Sequence, residues 1–142
     1  MTNKRKIILA GAGPGDPELI TLKAYNYLQQ ADVILYDRLV SEEIIERYAN
    51  PRAKLVYVGK QGHCHASVSQ QQINHLLLDY YHPEKLLVRL KGGDTAFYSN
   101  ILDELITLAD NNIPYEIIPG ITAASGASAY CGIPLTARGF AD

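Results

Sequence analysis

Asp37 and Lys60 are the two side chains whose type and placement best suit moving a proton. Asp37 follows the apolar run Val33–Tyr36, and Lys60 follows Leu55–Val58 and Gly59. A carboxylate and an ammonium on one rim can accept and return a proton at a shared ligand. Each residue also has a plainer reading. Asp37 can form a surface ion pair with Arg38, worth at most ~1 kcal/mol. Lys60 can be an ordinary solvated lysine. The residues alone leave both open.

Three glycine-bearing turns supply backbone that a ligand can approach closely. Gly11-Ala12-Gly13-Pro14-Gly15-Asp16 follows Ile7–Ala10, Lys91-Gly92-Gly93-Asp94 follows Leu86–Leu90, and Pro119-Gly120-Ile121-Thr122-Ala123-Ala124 follows Tyr115–Ile118. The first fails as a dinucleotide fingerprint, because Asp16 replaces the third glycine and would repel a pyrophosphate. It reads equally as a tight structural turn or a ligand loop. The second suits a ligand with hydroxyls or a positive group better than a phosphate. His63-Cys64-His65 is too tightly spaced for a standard zinc pattern, so no metal site is expected.

The elements that must position these groups read as five apolar runs, most of them separated by helical segments. The runs are Ile7–Ala10, Val33–Tyr36, Leu55–Val58, Leu86–Leu90 and Tyr115–Ile118. They are continuous rather than alternating, which predicts central parallel strands covered on both faces. The fold class is therefore α/β, an open, mainly parallel five-stranded sheet flanked by helices, with its ligands at the carboxyl edge. Pro17 and Glu18 suit a first helical turn, with Thr21 as an alternative cap for a helix reaching about Ala31. Ser41 can cap a short second helix. Ser69 and Gln72 form a capping-box pattern. Ile101, Leu102, Leu105, Ile106 and Ala109 are read as the apolar stripe of the next helix. Thr122 caps an alanine-rich helix through Cys131, closed by Gly132.

The 142 residues make one domain with room for a proper core. A net charge of −2 argues against general nucleic-acid or anionic-membrane binding. The longest apolar stretch is too short to span a bilayer. Two cysteines make no disulfide framework, so a reduced, cytoplasmic setting is expected.

Taken in order, GAGPGDPELITLKA from Gly11, QADVILYDRLVS from Gln30, VYVGK from Val56, RLKGGD from Arg89, IPYEIIPGITAASG from Ile113 and GIPLTARG from Gly132 resemble the uroporphyrinogen-III C-methyltransferases. These belong to the tetrapyrrole methyltransferases that use S-adenosylmethionine. The resemblance covers essentially the whole chain. It implies methylation of uroporphyrinogen III at C2 and C7, giving precorrin-2 for sirohaem or cobalamin. By matching motifs it implies Asp37 as proton acceptor and Lys60 as proton donor, with Pro14, Gly92, Gly93, Asp94, Phe97, Thr122 and Ala123 contacting the methyl donor. The substrate is a polycarboxylate, which makes Arg38, Lys60, Arg89, Lys91 and Arg138 candidates for charge-assisted contacts. Residues 1–142 then correspond to the N-terminal α/β domain of a two-domain enzyme, with the active site between the domains. A chain lacking the second domain is expected to fold without methylating, and a homodimer is expected.

Two stretches depart from the family. Thr95-Ala96-Phe97-Tyr98-Ser99-Asn100 lacks the arginine and glycines usual after Gly-Gly-Asp, which touches a substrate contact and the local backbone path. Ala137 replaces the usual histidine of the last motif. Alternatives are a methyltransferase of this fold acting on another tetrapyrrole, a non-catalytic Rossmann-like nucleotide-binding module, and a protein-interaction half-domain.

Overall fold

The computed structural model describes residues 6–59 and 68–140. Five strands form one sheet: β1 (Ile7–Gly11), β2 (Val33–Tyr36), β3 (Lys54–Tyr57), β4 (Leu87–Lys91) and β5 (Tyr115–Ile118). Their order is β3-β2-β4-β1-β5, and every pairing is parallel. Ile7 sits opposite Leu87 on one side and Tyr115 on the other, so β1 lies inside the sheet. The helices are α1 (Leu22–Gln30), α2 (Glu42–Tyr48), α3 (Gln70–Tyr80), α4 (Ile101–Asp110) and α5 (Ala123–Cys131).

Helix starts follow local capping chemistry. Pro17–Leu19 is a separate 3₁₀ turn capped by Asp16, and Thr21 accepts the Ala24 amide to open α1. Ser69 and Gln72 complete a reciprocal capping box at α3. Ser41 and Thr122 occupy cap positions without a side-chain capping bond, and Gly132 closes α5 at φ 67°. That left-handed geometry is the one glycine adopts freely.

Alternate residues of the inner strands feed two cores. Ile8, Ala10, Ile34, Val88 and Leu90 pack with Ala24 and Leu28 of α1 and Ile44 and Ile45 of α2. Ile7, Leu9, Leu35 and Leu87 pack with Ile73 and Leu77 of α3 and Leu108 of α4. Neighbouring strands β1 and β4 thus lead into helices on opposite faces. Their carboxyl ends form the switch point at which open α/β sheets bind ligands.

Two expectations are corrected. The strands β3 and β5 are edges rather than doubly covered centres, leaving Leu55, Tyr115 and Ile117 exposed. Helix α4 turns differently from the stripe read in its sequence. Glu104 and Leu108 are buried, whereas Leu102 and Ile106 are exposed.

Candidate functional site

The three glycine-bearing loops meet at the carboxyl edge. Past β1 and β4, Gly13 and Gly93 exchange two backbone hydrogen bonds, of 3.0 and 2.8 Å. A Cβ on Gly11 would stand 2.6 Å from the Gly93 carbonyl oxygen and 2.7 Å from the Gly120 amide nitrogen. Only bare backbone lets the loops of β1, β4 and β5 come this close. Gly93 itself takes φ 68°, and a Cβ there would sit 3.8 Å from the Ala123 nitrogen and 3.9 Å from the Thr122 Cα. Gly92 backs onto Leu39, two residues past Asp37, where a Cβ would lie 2.5 Å from the Leu39 Cβ. Gly93, Thr122 and Ala123 are therefore neighbours, and Gly92 links them to the loop of Asp37.

Asp94 ties this arrangement together. Its Oδ1 accepts the Gly120 amide at 2.9 Å and its Oδ2 accepts the Ala96 amide at 3.0 Å. Pro14 lies against α5, since a Cβ on Gly126 would be 2.8 Å from its Cγ. Asp16, two residues on, accepts both the Glu18 amide and the Tyr130 hydroxyl of α5. These bonds hold its carboxyl below the usual range, the tyrosine contributing most. The first loop is thus a structural turn and an edge of the cradle at once. Phe97 is exposed, in a segment where Tyr98 and Asn100 take φ 53° and 51°. Both are non-glycine residues in left-handed backbone, a conformation that glycine adopts more freely.

Asp37 sits just past β2, on the same edge. Its Oδ1 accepts the Leu39 amide at 3.0 Å, and its Oδ2 accepts Arg89 Nη2 at 3.2 Å. The partner is therefore Arg89 rather than Arg38. The Arg89 side chain is 2% exposed and the Asp37 side chain 24%. Arg89 Nη1 donates to the Leu90 carbonyl at 2.9 Å, and its Nε lies 3.5 Å from Glu104 Oε1. Lys91 Nζ donates to that same oxygen at 2.6 Å. Burial pushes the Lys91 ammonium down from its ordinary value, and Arg89 pushes the same way against the opposing pull of Glu104. Arg89 and Lys91 are thus committed inside the protein, not free for substrate carboxylates as their sequence suggests. Arg38 and Arg138 are exposed.

Lys60, with His63, Cys64 and His65, lies outside the described residues. Among the described residues, no three His, Cys, Asp or Glu side chains gather as metal ligands. Glu104 was missed by sequence reasoning. The available signal was a carboxylate between Ile101 and Leu108 on the buried face of α4, opposite two cations at alternate positions of β4.

Residues 6–142 match the family of Tetrapyrrole (Corrin/Porphyrin) Methylases. The chain is 50% identical over 142 residues to Siroheme synthase 2 of Yersinia enterocolitica, all of it aligning with 30% of that protein. It thus spans less than a third of the length of such curated relatives. The uroporphyrin-III-C-methyltransferase of Thermus thermophilus superposes with a TM-score of 0.81 at 36% identity, covering 95% of this chain and 56% of that one. A Thermus thermophilus uroporphyrin-III C-methyltransferase complexed with S-adenyl homocysteine gives 0.75 at 41% identity, covering 94% and 51%.

Proposed function

Because the chain belongs to the tetrapyrrole (corrin/porphyrin) methylases, we propose that it carries the methyl-donor site and the proton acceptor of a uroporphyrinogen-III C-methyltransferase. The product is precorrin-2, on the way to sirohaem or cobalamin. The observation that carries this reading is the glycine cradle at the β1–β4 switch point, with Asp37 beside it on the same edge. The cradle fits a donor such as S-adenosylmethionine. It offers open backbone at Gly93 beside Thr122, whose side chain makes no capping bond, with Gly92 packed against Leu39 and the third loop held in place by Asp94.

S-adenosylmethionine, when bound, supplies an electrophilic methyl group to an electron-rich pyrrole carbon. The chain's own residues do the rest. Gly92, Gly93, Thr122 and Ala123 bind and orient, and orientation is a large part of such catalysis. The Asp37 carboxylate uses one lone pair per oxygen on Leu39 and Arg89, leaving one on each oxygen for the substrate's departing proton. Lys60 is assigned the proton-donor role on motif position alone, and the exposed Arg38 and Arg138 are assigned contacts to substrate carboxylates.

The same reading makes this the N-terminal domain of a two-domain enzyme. Supporting it are the half-length match to the solved methyltransferases and the exposed Tyr115 and Ile117 of β5, Tyr130 of α5, and Ile133 and Leu135 just past it. A cytoplasmic homodimer that needs no metal completes the proposal. The test is calorimetry with S-adenosylhomocysteine and NAD, followed by methyl transfer to uroporphyrinogen III, on the protein at its full natural length. Binding of S-adenosylhomocysteine alone, with methylated product, is expected. NAD binding would favour a dinucleotide module. Donor binding without transfer would point to another tetrapyrrole.

A further inference from the structure

The Asp37, Arg89, Glu104 and Lys91 cluster holds two anions and two cations, with three of the four side chains at 5% exposure or less. Its hydrogen bonding is incomplete, because Glu104 Oε2 and Arg89 Nε, the latter 3.5 Å from Glu104 Oε1, are buried without a hydrogen-bond partner. Orphaned buried polar atoms are costly, and well-packed apolar residues in place of a buried ion pair are often at least as stable. The arrangement is thus better explained by what it does to the partly exposed carboxylate at its end. Arg89 and Lys91 project from alternate positions of β4 onto one face, and because Tyr36 stands opposite Leu90, Asp37 and Lys91 are the next residues along the two neighbouring strands. Glu104 Oε1 engages both cations, Lys91 at 2.6 Å and Arg89 at 3.5 Å, and among the described residues it is the carboxylate to which Lys91 is bonded.

We propose that Glu104 is a positioning residue for Asp37. It retains Lys91 beneath β4 and steadies Arg89, so that Asp37 is paired with one described cation and keeps lone pairs open toward the carboxyl edge. Without the Glu104 charge, two buried cations share one carboxylate. Asp37 then spends on Lys91 a lone pair that substrate would otherwise use. The inference rests on the reading of Asp37 as the proton acceptor. It explains why a buried glutamate interrupts the apolar face of α4.

The test is a kinetic cycle in the protein at its full natural length, with Glu104→Gln, Asp37→Asn and the double variant, measuring kcat and the KM for S-adenosylmethionine. Glu104→Gln is expected to lower kcat about tenfold or more with donor KM within about twofold, and to change kcat by less than about twofold when Asp37 is already Asn. Adding Lys91→Met to Glu104→Gln removes the competing cation and is expected to restore most of the lost kcat. If Glu104→Gln does not fold, Glu104→Asp, which withdraws the carboxylate by one methylene, is read in its place. Equal losses with and without Asp37, a parallel rise in donor KM, no rescue, or wild-type kcat in the glutamate variant would each overturn the proposal. Wild-type turnover in Asp37→Asn alone would instead remove the acceptor reading itself.

Discussion

The carboxylate of Asp94 accepts the backbone amide of Gly120 at 2.9 Å and so joins the loop after β4 to the loop after β5. The bond spans the width of β1, the strand between them. Truncation by Asp94→Ala removes the acceptor of both the half-buried Gly120 amide and the amide of exposed Ala96, at about 1 kcal/mol for each hydrogen bond lost. Stability should fall, and affinity for S-adenosylhomocysteine should fall further, because the cradle opens. Asp94→Asn keeps an acceptor for Gly120 and should lose less of both. Denaturant melts paired with calorimetry separate the two effects. Wild-type donor affinity in Asp94→Ala would show that this link does not shape the site.

At Gly11, a single methyl group meets backbone on two sides, 2.6 Å from the Gly93 oxygen and 2.7 Å from the Gly120 nitrogen. Neither atom can swing aside as a side chain does. Gly11→Ala should cost about 1–3 kcal/mol or more of stability, the range for overpacking. Gly15, with open space around its Cα, provides a contrast in crowding, although its φ of 129° adds its own strain. A melting temperature for Gly11→Ala equal to that of the parent would contradict the close approach of the three loops.

Replacing Asp37 by Ala should separate turnover from donor binding. Loss of a general acid–base group is worth about 10²-fold or more in rate. Binding of S-adenosylhomocysteine should stay close to that of the parent, since the hydrogen bonds that join the Gly13, Gly93 and Gly120 loops do not involve this carboxylate. Parent-like turnover would refute the role. A lowered melting temperature with full activity per folded molecule would assign Asp37 to structure alone.

Glu116 gives the pH dependence of the fold. Lys23 and Lys6 pair with its two oxygens and the Tyr27 hydroxyl donates to it at 2.7 Å, so that α1 is tied to β5. These contacts, Lys23 first, hold its carboxyl at about 2, below the ordinary 4.5. A depressed folded value means that the stabilisation is complete above the ordinary value and is lost as pH falls through the folded one. Glu116→Gln should therefore be less stable than the parent at neutral pH, on the order of 1 kcal/mol for a half-buried carboxylate whose lysine partners are exposed and screened. The two proteins should converge between about pH 4.5 and about pH 2. Urea titrations across that window check it, and a gap that persists at the acid end would contradict the assignment.

Much of this structure was legible because its signals are local. Strands announced themselves as apolar runs that end in turns carrying glycine or charge, and the Ser69–Gln72 capping box, Thr21 and Gly132 mark helix ends with neighbouring residues alone. The partner of Asp37 was not legible, because Arg89 reaches it only when β4 inserts beside β2. The phase of α4 was hidden for a related reason. Ile101, Leu102, Leu105 and Ile106 allow two overlapping stripes, and the choice is made by Arg89 and Lys91 on a distant strand, which need Glu104 facing them.

The interior position of β1 also sets the order in which the chain can fold during synthesis. Its two neighbours are β4 and β5, with Ile7 opposite Leu87 and Tyr115, so no strand made before residue 87 pairs with it. At roughly 5–20 residues per second on the ribosome, this apolar segment waits several seconds or more for a first partner. Long-range parallel pairing of this kind folds slowly and leaves sticky backbone exposed meanwhile. Only β2 and β3, which pair with each other, can meet early. A nascent chain halted before β4 has no sheet centre to shelter its first strand, which makes that interval the one in which chaperone capture or aggregation competes with folding.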